Sequence, residues 1–202
     1  MGSRPSVSGT AEPGRDLPKE SARAVRLVIL DVDGVLTDGG VYVGEFPGGE
    51  VLEMKRFDIQ DGLGIKLLQE AGVEVAVVSG RMSRATEIRA RELGIEECHQ
   101  DGGARKLRII RRLMEERGLE WSQVAMLGDD LPDLAVLRRV GLPAVVANAT
   151  DEARKAAVWQ GEKRGGQGAV REFCESLLKA RGDWEERVEL YVTARSGAHD
   201  EE

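Results

Sequence analysis

Four short apolar runs, at residues 25–30, 73–78, 124–127 and 144–147, are dense in Val, Ile, Leu and Ala and carry almost no polar break. Strands buried on both faces read this way, because neither face has to meet water. Between the runs lie stretches of helical period. Leu63, Leu67 and Leu68 share one face before Gly72, and Leu107, Ile110, Leu113 and Met114 form a stripe that Gly118 stops. With a further short strand expected at 95–99, the alternation predicts parallel βαβ units with right-handed crossovers. The fold class is α/β, a Rossmann-like, mostly parallel sheet flanked by helices.

One interval breaks the alternation. Val41-Tyr42-Val43 and Val51-Leu52-Glu53-Met54 flank Phe46-Pro47-Gly48-Gly49. Pro then Gly at the central positions predicts a type II turn, hence a small β-hairpin flap above the sheet. Hairpin, helix and strand fill the interval from Asp33 to Ser79, and that from Ser79 to Lys106 is shorter, so no separate cap domain fits. Residues 1–23 are rich in Ser, Pro, Gly and charge and are expected to be a disordered leader; residues 193–202 read similarly as a disordered tail. A single folded domain is expected over 24–192.

Asp and Glu number 36 against 29 Lys and Arg, a net charge of -7, which argues against nucleic acid or an anionic membrane as the main partner. No apolar run approaches the roughly 18 residues needed to span a bilayer, and the N-terminus lacks a signal-peptide layout, so a cytoplasmic protein is expected. Cys98 and Cys174 lie far apart without metal-type spacing and read as thiols in a reducing compartment.

The chemistry sits at the ends of the runs. Asp31-Val32-Asp33-Gly34 closes the first, and Gly128-Asp129-Asp130-Leu131-Pro132-Asp133 closes the third. Open α/β sheets bind ligands at the carboxyl ends of their strands, so two such ends deliver carboxylates to one place. Asp31 is the natural nucleophile for an aspartyl-phosphate intermediate, and Asp33 can protonate the leaving alkoxide and then activate water. Ser79, followed by Gly80 and Arg81, offers a hydroxyl and free amides at a helix start, an anion site. Lys106 opens the next helix as a compact point charge. Asp129 can complete an oxygen-only sphere suited to Mg²⁺, with Asp130 and Asp133 orienting the loop or ligating through water. Crowded carboxylates resist ionising together without that cation, so metal dependence is expected.

The order DxD, Ser, Lys, GDDxxD resembles the haloacid dehalogenase superfamily of phosphotransferases. The stretches from Asp31 to Gly39, Lys55 to Gly62, Ser79 to Arg81, Gly128 to Asp133 and Gly165 to Glu172 resemble its 3-deoxy-D-manno-octulosonate 8-phosphate (KDO 8-phosphate) phosphatase branch. The resemblance implies Mg²⁺ held by Asp31, the main-chain carbonyl of Asp33 and Asp129, with Ser79 and Lys106 on the phosphate. It also implies a substrate pocket lined by Asp58, Ile59, Gln60, Asp61, Gly62, Lys66, Arg81 and Arg89, and a homotetramer in which flaps meet and the segment around Arg164 reaches a neighbouring site. Asp58 and Lys66 stand where the branch usually has Asn and Arg, adding a negative charge and removing a guanidinium fork.

The leading reading is therefore hydrolysis of a small sugar-acid phosphate, KDO 8-phosphate foremost. A nonulosonate 9-phosphate or a broader set of sugar phosphates is the second, and a non-catalytic accessory subunit the third. A phosphoacceptor receiver domain fits less well, because it has no counterpart of the second acidic cluster.

Overall fold

The computed structural model describes residues 13–196. Six parallel strands form the main sheet: β1 (Leu27–Leu30), β4 (Glu74–Ser79), β5 (Glu97–Gln100), β6 (Val124–Gly128), β7 (Leu142–Val145) and β8 (Trp159–Gln160). Their order across the sheet is β5-β4-β1-β6-β7-β8, and β2 (Tyr42–Glu45) and β3 (Val51–Met54) form a separate antiparallel hairpin. The helices are α1 (Lys19–Ala24), α2 (Ile59–Glu70), α3 (Arg84–Glu92), α4 (Lys106–Arg117), α5 (Leu134–Leu137), α6 (Asp151–Ala156), α7 (Ala169–Arg181) and α8 (Trp184–Thr193). The expected mostly parallel sheet and the hairpin are present, and among the described residues the intervals from Asp33 to Ser79 and from Ser79 to Lys106 hold no separate cap domain.

The strand order places the site. β1 lies between β4 and β6, with Leu30 opposite Val77 on one side and Leu127 on the other. Every residue of β1 is buried, so its chain can surface only at its carboxyl end, where Asp31 follows. Ser79 and Asp129 emerge at the same rim from the two neighbouring strands. The chain builds one half of the sheet outward from β1 through β4 to β5, then crosses to β6, which makes this rim the topological switch point.

Helix faces follow the periodicity read above. Ile110, Leu113 and Met114 of α4 are buried, and Gly118, at φ 61° in the left-handed region, ends the helix. On α7, Phe173, Cys174, Leu177 and Leu178 are fully buried, and the Phe173 ring packs 5.5 Å from that of Trp159. The two-residue strand β8 is too short for pattern reading to find.

Two expectations need correction. The boundary at residue 23 falls inside α1, whose Ala22 is fully buried and whose preceding Leu17 is 3% exposed. Arg181 of α7 donates to the carbonyls of Ala22 and Val25, and Pro13 and Gly14 bridge to Gln160 at the sheet edge. Two small apolar anchors and these backbone bonds hold a segment whose composition looks unstructured. Of the predicted leader, residues 1–12 lie outside the described residues; of the predicted tail, Thr193 closes α8 and residues 197–202 lie outside. The hairpin turn also differs from type II, which needs a positive φ at Gly48. Here Gly49 takes the left-handed conformation (φ 81°) while its N–H closes on the Phe46 carbonyl at 2.9 Å, a turn followed by a left-handed glycine.

Candidate active site

Asp31 leaves β1 in extended conformation, and the chain winds tightly through Val32 to Leu36. Gly34 turns there at φ 95°, and a Cβ on it would run into the carboxylate of Asp129, so glycine is needed both for the turn and for the approach of the two acidic loops. The Thr37 hydroxyl fastens the wind by donating to the Val32 carbonyl (3.1 Å) and accepting from Gly39 N–H (3.2 Å).

The Lys106 ammonium, at the first residue of α4, donates to Asp31 Oδ1 at 2.5 Å and to Asp133 Oδ1 at 2.7 Å. All three side chains are buried. Asp133 Oδ2 in turn accepts the backbone N–H groups of Asp129 (2.9 Å) and Asp130 (3.4 Å), so this one carboxylate shapes the second acidic loop and aims the lysine. Asp130 caps the short turn after it by accepting from Leu131 N–H.

Carboxylate oxygens of Asp31, Asp129 and Asp133 all lie within 4.8 Å of one another. Burial pushes the Asp31 carboxyl up to about 6, helped by the charge of Asp133 and opposed by Lys106. Burial pushes Asp129 up to about 8, with Asp31, Asp133 and Asp130 adding to it. Lys106 is held above the usual lysine range: burial disfavours its charge, but Asp31 and Asp133 outweigh that. One ammonium does not balance such a cluster. An all-oxygen donor set short of positive charge fits a hard divalent cation, Mg²⁺ above all.

The remaining expected site residues divide. Asp33 lies at the same rim, 2.7 Å from the Lys55 ammonium. Ser79, 1% exposed, ends β4 as expected, but α3 begins only at Arg84, and the Ser79 hydroxyl accepts from the Arg81 N–H and donates to its carbonyl. The Arg81 amide is therefore taken by the Ser79 hydroxyl, and the helix expected to start immediately begins five residues on. Arg81 pairs with Glu53 of the hairpin at 2.7 Å. Asp58 caps α2 through Gln60 N–H, and its carbonyl accepts from Arg89, whose guanidinium also pairs with Glu92 and lies over the Phe57 ring. Ile59, Gln60, Lys66 and Arg164 are exposed, whereas Gly62 is buried against Arg89 and Leu93 of the neighbouring helix.

Asp61 is not where a substrate-facing residue would be. It is 1% exposed, and its Oδ1 accepts the N–H of Arg171 at 2.8 Å. The first turn of α7 has only Gly168 at its cap position, so Asp61 supplies the missing acceptor from across the α2–α7 interface. Burial pushes its carboxyl up to about 6.

Several contacts around the site cannot be read from the sequence. Asn148 donates to the Gly34 carbonyl (3.0 Å) and accepts from Gly165 N–H (2.7 Å), joining the first acidic loop to the Gly-rich segment at 164–168. Gly165 packs so tightly on Gly34 and Thr37 that any Cβ would collide with their carbonyls. Thr150 N–H donates to the Asp129 carbonyl at 2.8 Å. The strand-end logic that found Asp31 and Asp129 also covers Asn148 and Thr150, the polar residues just past β7.

The chain is similar to known phosphatases over most of its length. The haloacid dehalogenase-like hydrolase family profile matches residues 63–141. The 3-deoxy-D-manno-octulosonate 8-phosphate phosphatase KdsC of Escherichia coli K12 is 41% identical over 165 residues, which is 82% of this chain and 85% of that protein. A probable YrbI family phosphatase from Pseudomonas syringae superposes with a TM-score of 0.79 at 45% identity, covering 86% of this chain and 96% of that one. The KDO 8-phosphate phosphatase of Moraxella catarrhalis, solved with magnesium, phosphate and KDO, gives a TM-score of 0.79 at 37% identity over 86% of this chain and 97% of that one. At 41% identity over 82% of its length to a curated KDO 8-phosphate phosphatase, the chain belongs to the KDO 8-phosphate phosphatase family of haloacid dehalogenase-like hydrolases.

Proposed function

We propose that this phosphoric monoester hydrolase acts on KDO 8-phosphate, releasing KDO and inorganic phosphate through an aspartyl-phosphate on Asp31. The observation that carries this reading is the convergence of Asp31, Lys106, Asp129 and Asp133 at one rim of the sheet, in a chain 41% identical to a KDO 8-phosphate phosphatase. Asp31, the Asp33 carbonyl and Asp129 would hold Mg²⁺. Bound there, the ion neutralises phosphate oxygens and lets the crowded carboxylates ionise together.

In the first half-reaction an Asp31 oxygen attacks phosphorus, the ester P–O bond breaks, and Asp33 gives its proton to the departing alkoxide. Asp33, now a carboxylate, then takes a proton from water. The resulting hydroxide attacks phosphorus, the Asp31–phosphate bond breaks, and inorganic phosphate leaves. Lys106 keeps Asp31 oriented and ionised, and the Ser79 hydroxyl contacts the transferring phosphate. Arg81, Lys66 and Arg164 supply the positive charge an anionic sugar acid needs in a protein of net charge -7.

The reading extends to a cytoplasmic homotetramer. On the hairpin, Val43 and Val51, expected at a subunit contact, are 68% and 67% exposed on one face, and Tyr42, Leu52 and Met54 are 58%, 38% and 52% exposed on the other. An apolar face of this kind favours a partner. Among the described residues no helix is long and apolar enough to cross a membrane, and both cysteines are free thiols, as in a reducing compartment.

A Mg²⁺-dependent phosphate-release panel tests the substrate. KDO 8-phosphate should give the highest kcat/KM among KDO 8-phosphate, a nonulosonate 9-phosphate and common hexose phosphates. Asp58 and Lys66, which depart from the family's usual Asn and Arg, favour the nonulosonate as the second reading, and a higher kcat/KM for it would replace the substrate while leaving the chemistry intact.

A further inference from the structure

Glu53 and Lys55 stand two residues apart on the chain leaving the hairpin, so in extended backbone their side chains project to one side. Each grips a different catalytic loop. Glu53 Oε2 accepts from the Arg81 guanidinium at 2.7 Å, and its Oε1 accepts from the Ser83 hydroxyl at 2.5 Å. Arg81 and Ser83 belong to the loop that follows Ser79, and Ser83 also caps α3. Lys55 Nζ lies 2.7 Å from Asp33 Oδ1, with the lysine side chain 0% and the aspartate side chain 29% exposed.

The burial is the informative part. A fully enclosed ammonium is costly unless a counter-charge is held against it, and here that counter-charge is the carboxylate read as the proton carrier. Asp33 would otherwise sit half-exposed on a turn around a glycine, with free rotation about its side-chain bonds. The Lys55 contact, an ion pair without hydrogen-bond geometry, restricts that freedom. Glu53 does the same for Arg81, half-exposed at 49% and long enough to wander.

We propose that Glu53 and Lys55 are positioning residues, through which the hairpin sets the proton carrier Asp33 on one loop and the substrate-facing Arg81 on the other. This rests on the phosphatase reading above and adds to it the residues that aim its acid and its sugar-acid contact. Lys55 acts through Asp33, and Glu53 through Arg81 and Ser83.

The test uses the full-length protein with Mg²⁺ and two esters, the sugar-acid phosphate, whose alkoxide leaving group needs a proton, and p-nitrophenyl phosphate, whose phenolate does not. Lys55→Met keeps the stem and deletes the charge. It should lower kcat/KM for the sugar-acid phosphate about 10- to 100-fold and for p-nitrophenyl phosphate no more than about 3-fold, with Lys55→Arg recovering most of the loss. Glu53→Gln should raise KM for the sugar-acid phosphate by about 5- to 10-fold, more than it lowers kcat, with KM for p-nitrophenyl phosphate moving by less than about 2-fold. Equal losses on both esters would mean that the residues only support the fold, and unchanged kinetics would mean that they position nothing; either result overturns the inference. A wild-type protein inactive on both esters would instead overturn the phosphatase reading itself.

Discussion

Lys106 and Asp31 form a buried pair, 2.5 Å between Nζ and Oδ1, in which the lysine opening α4 reaches the residue that closes β1. A second carboxylate, Asp133, holds the same ammonium from the far side, so the cation is shared between the proposed nucleophile and the residue that shapes the second acidic loop. Removing it leaves two enclosed acids without a counter-charge. Lys106→Met should lower stability by about 3 kcal/mol, read from urea unfolding at neutral pH, and reduce turnover at least about 100-fold.

Asp133 acts through others. Its two oxygens serve the Asp129 and Asp130 amides and Lys106, so Asp133→Asn keeps the shape but sets an amide N–H₂ or a poorer acceptor against one of them. Affinity for Mg²⁺, titrated by calorimetry, should weaken about 10- to 100-fold. An unchanged Kd would show that the second acidic loop holds its form without that carboxylate.

The raised carboxyls make metal binding compete with protons. Asp31 is pushed up to about 6 and Asp129 to about 8, both chiefly by burial, so Mg²⁺ must displace the Asp129 proton at neutral pH and the Asp31 proton as well below about pH 6. Affinity should tighten as pH rises through that window, with proton release visible in buffers of different ionisation heat. In metal-free protein the sign runs the other way. Groups raised above their ordinary value of 3.8 contribute stability that is complete below it and is lost as pH rises through about 6 and then about 8. The Tm in EDTA should therefore fall from pH 5 to pH 8, and the Tm gain on adding Mg²⁺ should grow over the same range.

Asp61 offers a separate test, because its carboxyl caps α7 rather than facing the site. Held near 6 by burial, it is another raised acid whose stabilisation is lost as pH rises from about 4 to about 6. Asp61→Asn keeps an oxygen for the Arg171 N–H and removes the charge, so stability at pH 8 should rise by ~1 kcal/mol with little change at pH 4. A loss of stability at pH 8 would show that the ionised form is the better cap.

Gly165 lies against the carbonyls of Gly34 and Thr37, with no room for a methyl group. Gly165→Ala should displace the first acidic loop, lowering Tm by several degrees and turnover more than about 10-fold. Wild-type kinetics in that variant would mean that the 164–168 segment packs without steering Asp31.

What could be read from the residues alone follows a physical divide. A strand buried on both faces announces itself by an unbroken apolar run, and its carboxyl end is where a polar side chain must surface, so Asp31, Ser79 and Asp129 were legible. Long-range partners were not. Nothing local marks Asp61 as the cap of a helix more than a hundred positions later, or Lys55 as the buried neighbour of Asp33. Alternation shows that Glu53 and Lys55 share a side without saying what lies opposite. The segment holding Leu17 and α1 was missed because two small apolar anchors scarcely register in a composition dominated by Ser, Gly and charge.

The most direct test is phosphate release from KDO 8-phosphate by the wild-type protein and by Asp31→Asn, each with Mg²⁺ and with EDTA, alongside the Tm of both. The account predicts turnover only in wild type with Mg²⁺, a loss of at least about 1,000-fold in Asp31→Asn, and a substituted protein that still unfolds cooperatively. Turnover at the wild-type rate in Asp31→Asn would contradict it.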